Sequence, residues 1–308
     1  MESSPKNQRL SYPTEPDMTD SLLTPTYEDV VNANIVVFGT LAAHYNETEP
    51  HFLPENRARV GAVLKQVLAD AGCAEGQGKM LDLGCGTGFM IDLGKPLCRE
   101  IHGVDISHAM LSRVDKSGPC EVILSNAETG SMDVPRDHFD VATAYSFLHH
   151  LKDIQPTLQR TFEALRIGGR LYADLEPNGY FLEAISALDR SRTYDPAVAR
   201  EIEQVSDKDA EIAGKLNVPT GTFQSAEFGK SLKGGFFEEE ILALLKSIGF
   251  SEARIGYNWF LGQGVLINDS EIERSQRLVI AAATDRVLQR SLPVSRTLYK
   301  YLAIHAVK

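Results

Sequence analysis

Met80-Leu81-Asp82-Leu83-Gly84-Cys85-Gly86-Thr87-Gly88-Phe89 runs from an apolar strand through an acidic residue into three glycines spaced two apart. A buried strand that breaks at glycines and restarts as a helix lets backbone come close to a ligand, because glycine has no Cβ and tolerates positive φ. In an open α/β sheet such a junction lies at the carboxyl ends of the strands, where nucleotide-like ligands bind. The dinucleotide fingerprint G-x-G-x-x-G would need glycine at 89, which is Phe89. The spacing therefore disfavours an NAD(P)-dependent oxidoreductase, which is kept as the alternative.

A chain of 308 residues with 43% hydrophobic content can bury a large core. A net charge of -11 argues against a nucleic-acid partner, since phosphate backbones are bound mainly by Lys and Arg. Cys73, Cys85, Cys98 and Cys120 show no C-x-x-C spacing, so no metal site and no disulfide framework is expected. Residues 1–25 read as a polar, mobile leader without the basic start and apolar stretch of a signal peptide. No run approaches the roughly eighteen apolar residues of a membrane helix, so a soluble cytoplasmic protein is expected. Nothing in the composition speaks to oligomeric state.

Outward from the glycine run, apolar residues at helical spacing predict a helix over 54–72, ending at Gly72. Strands are expected near 101–104, 121–124, 139–145 and 170–175, with helices over 107–116 and 156–165. Strands alternating with helices imply right-handed crossovers and a parallel sheet covered on both faces. Core and N-terminal lid helices are assigned to 26–177, a helical cap inserted after the fifth strand to 178–235, and the rest of the same core to 236–308. A helix over 236–250 closed by Gly249, a strand over 253–259, a helix over 270–290 and a final strand over 301–307 complete the reading.

The candidate site residues follow from strand ends. Asp105 closes the second strand, where a carboxylate can accept hydrogen bonds from both ribose hydroxyls. Asn126-Ala127-Glu128 follows the third strand, and Phe139-Asp140 opens a fourth that ends Tyr145-Ser146-Phe147-Leu148-His149-His150. His149 and His150 titrate near neutrality and are candidate bases, with Glu176 at the end of the fifth strand as a further one.

These runs, in this order, resemble the motifs of the class I S-adenosylmethionine-dependent methyltransferases of small-molecule type, closely over 80–169 and more loosely over 236–308. The resemblance implies a Rossmann-like, seven-stranded, mostly parallel sheet with an antiparallel C-terminal hairpin. It implies S-adenosylmethionine as cofactor. Backbone at Gly84, Cys85 and Gly86 would face the methionine portion and Asp82 its amino group. Asp105 with neighbouring Ile106 would hold the ribose, Asn126 with Ala127 the adenine, and Tyr145 would stand at the strand tip nearest the methyl. Asn126 departs from the acidic residue usual there, with Glu128 as a substitute. Ala42-Ala43-His44-Tyr45-Asn46 resembles a lid, with Tyr45 contacting the methionine carboxylate or the substrate.

The implied activity is methyl transfer to an O, N or C nucleophile of a small, partly hydrophobic molecule. The pocket walls are expected from Tyr180, Phe181, Leu188, Tyr194, Phe223, Tyr257, Trp259 and Phe260. A non-catalytic cofactor-binding protein acting through a partner is the reading from another class.

Overall fold

The computed structural model describes residues 24–205, 209–268 and 271–308. The leader expected over 1–25 lies almost wholly outside the described residues. Seven strands appear among them: β1 Gly78–Leu83, β2 Cys98–Asp105, β3 Glu121–Asn126, β4 Phe139–Tyr145, β5 Leu165–Pro177, β6 Glu252–Phe260 and β7 Tyr299–Val307. They form one sheet in the order β3-β2-β1-β4-β5-β7-β6. The first five are parallel, and β7 runs antiparallel to both β5 and β6. The chain winds outward from β1 to β3, then returns to lay β4 on the other side of β1, so a crevice opens at the carboxyl ends of β1 and β4.

β1 is central, and its apolar run has no solvent face: Met80, Leu81 and Leu83 are fully buried. Leu81 and Leu83 join one core with Phe139, Leu158, Leu245 and Tyr299. Met80 points to the other face, where Val60, Leu64, Val67 and Leu68 of the helix Pro54–Asp70 pack with Ile91, Ile101 and Val141.

The helix expected over 107–116 is a single turn, His108–Leu111. Asp115 accepts from the backbone N–H of Ser117 at 2.9 Å, and Gly118 has φ 112, so local turn chemistry ends the helix early. The long C-terminal helix starts at Arg274 rather than 270, capped by the Glu273 carboxylate.

A helix that the sequence reading did not delimit, Tyr27–Leu41, opens with a capping box between Thr26 and Asp29. Among the described residues, 178–235 forms five short helices: Gly179–Ser186, Pro196–Gln204, Asp209–Leu216, Thr222–Ala226 and Phe228–Ser231. The helix Glu238–Ile248 lacks a side-chain cap at Phe237. Glu238, Glu239 and Glu240 instead place negative charge at its positive end, and Gly249 at φ 119 closes it. No helix among the described residues is long and apolar enough to cross a membrane.

Candidate active site

The glycine run turns β1 into the short helix Phe89–Gly94. Gly84 and Gly86 both sit at positive φ, 60 and 52. A Cβ at Gly84 would lie 1.9 Å from the Phe147 ring, whereas one at Gly86 would meet nothing within 4 Å, because that residue faces the open cleft. Asp105 ties this loop to the next helix: Oδ2 accepts from Gly86 N–H at 2.8 Å and Oδ1 from Ser107 N–H at 2.7 Å. Burial raises its pKa against the pull of both backbone donors.

Asp82 is 1% exposed, and one carboxylate oxygen accepts from Thr143 Oγ1 at 2.7 Å. The other oxygen, Oδ2, is buried without a partner. Desolvation pushes the group up to about 7. It lines a small recess with Tyr45, His51, Cys85, Thr87 and Tyr145. A buried carboxylate with an unused oxygen suits a cationic donor, which the α-ammonium of an aminoacyl group supplies. The residues present therefore fit the methionine end of S-adenosylmethionine.

From that recess a cleft extends over Gly84, Gly86, Asp105 and Ile106 toward Ala127, Glu128 and Thr129. The helix Tyr27–Leu41 covers it with Tyr27, Val30, Val31, Asn34 and Phe38, and the Tyr27 hydroxyl donates to Glu128. Tyr45 stands on the wall of both cleft and recess. Asn126 is exposed and off the cleft wall. Its Nδ2 donates to the backbone oxygens of Asp105 at 3.0 Å and Ile106 at 2.8 Å. The geometry makes it a brace for the β2 tip, and Glu128 occupies the wall instead.

Glu176 does not reach the cleft. It is fully buried, and its oxygens accept from the backbone N–H groups of Phe147 (3.0 Å), Leu148 (2.8 Å) and His149 (3.0 Å) and from His149 Nδ1 (2.9 Å). Four donors leave it no role as a base, and it fastens the turn after β4. His149 is buried behind that turn; burial opposes its charge, but Glu176 outweighs it and holds the imidazole above its usual pKa. His150 does line the cleft, packed edge-on to Phe38 with ring centroids 4.7 Å apart. Its Nδ1 donates to Ala226 O at 2.9 Å, and burial lowers it to about 4, so it is neutral.

Beyond Tyr145 and Ser146 opens a second cavity of about 880 Å³, lined by Glu49, His51, Leu175, Trp259, Phe260 and Tyr301 together with Arg200, Glu201 and Lys300. Of the aromatic residues expected as its walls, Trp259 and Phe260 are there. Phe181 is in the core, Phe223 packs on Ala33 and Val37, Tyr180 packs edge-on to Phe237, and Tyr257 donates to Glu238.

His51 belongs to both cavity and recess and went unread in the sequence. It is 7% exposed, in ring contact with Phe89 and Tyr145, and burial pushes it down to about 4. Nothing local marks it: Glu49-Pro50-His51-Phe52 carries no motif, and only the fold sets the 3₁₀ turn Pro50–Phe52 beside Tyr145, 94 residues on. Below Tyr145, Asp174 is held by Arg59 (3.3 Å), Tyr172 (2.7 Å) and Asn258 (2.8 Å), which steadies the strand tip.

A nucleotide-type cleft at the switch point, glycines at positive φ and an acid at each of the first two strand tips are the features that the resemblance to class I S-adenosylmethionine-dependent methyltransferases implies. Residues 81–173 match the family described as methyltransferase domain. This match replaces the dinucleotide alternative. The chain is 31% identical over 112 residues to an uncharacterized methyltransferase of Schizosaccharomyces pombe, covering 32% of this chain and 39% of that protein. It is 26% identical over 171 residues to a ubiquinone biosynthesis O-methyltransferase of Pseudomonas entomophila, covering 52% and 70%. The solved structure of Haemonchus contortus phosphoethanolamine N-methyltransferase 2 shares the fold, with TM-score 0.53 at 15% identity over 92% of this chain and 59% of that one. The chain thus spans well under half of the first relative.

Proposed function

We propose that the chain transfers the S-adenosylmethionine methyl group to an O, N or C nucleophile of a small molecule of mixed polarity. The observation that carries this reading is that cleft and cavity share one partition, Tyr145–Ser146. A ligand in the cleft and a second molecule in the cavity would meet there.

When bound, the cofactor supplies a methyl on a sulfonium reactive enough that orientation and exclusion of water supply most of the remaining effect. Asp82 would receive the ammonium, Asp105 the ribose hydroxyls and Glu128 the adenine edge. Ser146, at φ 51, holds the partition in a strained backbone conformation fixed by its N–H to Asp174 O at 2.8 Å. His51, neutral and on the partition, would accept a hydrogen bond from the acceptor and take its proton as the new bond forms. A neutral ring also avoids repelling the sulfonium. The cavity size suits a small molecule. Arg200 and Lys300 beside Trp259 favour an acceptor with one polar and one apolar end.

The test is calorimetric titration with S-adenosylmethionine and S-adenosylhomocysteine, for wild type and Asp105→Ala, followed by transfer of labelled methyl to a panel of phenols, carboxylated phenols and amines. Micromolar binding lost in the variant, with transfer to at least one acceptor, is expected. Absence of binding overturns the reading, and binding with no transfer to any acceptor favours the non-catalytic alternative.

A further inference from the structure

His149 and His150 meet Glu227, which lies between the helices Thr222–Ala226 and Phe228–Ser231. One ligand-capable atom from each lies within 4.8 Å of the other two, and all three side chains are largely buried, at 6%, 12% and 12% exposure. The contacts are too long for hydrogen bonds: His149 Nε2 to Glu227 Oε2 is 3.9 Å and His150 Nδ1 to Glu227 Oε1 is 3.6 Å. Ligands at about 2.0–2.2 Å from one ion stand roughly 3–4 Å apart, so the gap has the size of a coordination sphere.

The outer contact of His149 agrees. A metal-bound imidazole gives its other N–H to a carboxylate or a backbone carbonyl. His149 Nδ1 faces Glu176 at 2.9 Å, and His150 Nδ1 faces Ala226 O at 2.9 Å. His149 therefore keeps Nε2, the atom that faces Glu227, with its lone pair unused, whereas His150 faces Glu227 with Nδ1, so coordination there exchanges the bond to Ala226 O for the ion. Two buried carboxylates, Glu176 and Glu227, surround two imidazoles, and Lys230 approaches Glu227 at 3.7 Å from a position 41% exposed. Such a cluster calls for positive charge at its centre. The close approach is built in: a Cβ at Gly229 would stand 2.8 Å from His149 Cα, so only glycine lets this segment deliver Glu227 so near.

We propose that His149, His150 and Glu227 bind one divalent transition-metal ion of the Zn²⁺ type, with Glu176 orienting the His149 ring. Two imidazoles and one carboxylate select a borderline ion over Mg²⁺ or Ca²⁺ and leave a coordination position open. The ion staples the helical insert to the turn that carries Phe147, and so to the floor of the cofactor cleft. This inference stands whether or not the chain transfers methyl groups.

The experiment strips the full chain with chelator and titrates it with Zn²⁺ and with Co²⁺, reading stoichiometry by calorimetry, coordination by the Co²⁺ visible spectrum, and Tm. One equivalent bound with submicromolar Kd, a Co²⁺ spectrum of low coordination number and a Tm rise of about 5 °C are expected. Glu227→Gln, at a position remote from the sheet core, should weaken binding at least tenfold while keeping the native circular dichroism. Zero stoichiometry for both ions in the wild type overturns the proposal, even if the variant fails to fold. Undiminished binding by a folded Glu227→Gln also overturns it, leaving His149 as an imidazolium held between two carboxylates.

Discussion

The cofactor cleft and the cavity beyond Tyr145 sit on the same strand ends but are built in opposite ways. The cleft floor comes from the successive tips of β1, β2, β3 and β4 and the turns that follow them, between Asp82 and Thr157, so its contacts are between neighbouring strand tips. The cavity draws on segments near residues 50, 146, 200, 260 and 300, which only the finished sheet and its insert bring together. A site made from adjacent strand ends is a property of the topology; a site made from inserts is a property of the particular chain. The two halves should therefore fail differently when altered.

The largest effect is expected at Gly84. Gly84→Ala drives a Cβ into Phe147 at a positive φ, and should lower stability by about 3 kcal/mol or more and abolish cofactor binding. Gly86→Ala, with open space around it, should cost only about 1 kcal/mol. Equal losses in thermal unfolding would break the account of Phe147 as the cleft floor.

Next comes Glu176→Gln, which turns an acceptor of four hydrogen bonds into a group that can satisfy fewer of them. A loss of about 2–3 kcal/mol is expected, together with weaker S-adenosylhomocysteine binding. Retained stability with kcat alone diminished would instead make Glu176 a base. Trp259→Ala should then separate the halves, raising the acceptor KM about tenfold or more while S-adenosylhomocysteine Kd stays within about twofold. A matching change in both constants would show that the partition does not isolate them.

The smallest effect is titration. Asp82 lies at about 7 in the free protein. An ammonium partner would lower it, so binding expels a proton. Affinity should be level above pH 7 and fall below it, approaching about tenfold per pH unit. In calorimetry the apparent binding enthalpy at pH 6.5 should track the buffer ionisation enthalpy, and Asp82→Asn should remove that dependence. His51 acts on stability with a related sign. It is held near 4, below its unfolded value, so the stability it contributes is present above about pH 6.5 and is lost as pH falls toward 4. Unfolding followed between pH 7 and pH 5 should show a loss of about 1–2 kcal/mol from this histidine, absent in His51→Phe.

The fold was legible because its signals are local. Met80–Leu83 is apolar without alternation, as a strand buried on both faces must be, and the three glycines follow it directly. Asp82 and Asp105 could be placed because the end of a parallel strand is a fixed point in the architecture. Asn126 misled because an amide suits either a ligand or a backbone carbonyl, and the choice rests on where the β2 tip ends. Glu176 misled for a similar reason: a strand-end carboxylate looks free until the turn at 147–149 folds its N–H groups onto it.

The amino-acid order alone carries the parallel sheet and the glycine turn at its switch point, because backbone periodicity and glycine conformation act over a few residues. Tertiary structure alone decided that His51 faces the partition, that Glu176 is buried scaffold and that Glu227 meets two histidines. Those pairings join residues 27 to 94 positions apart, and their energetics depend on burial, which no local pattern encodes.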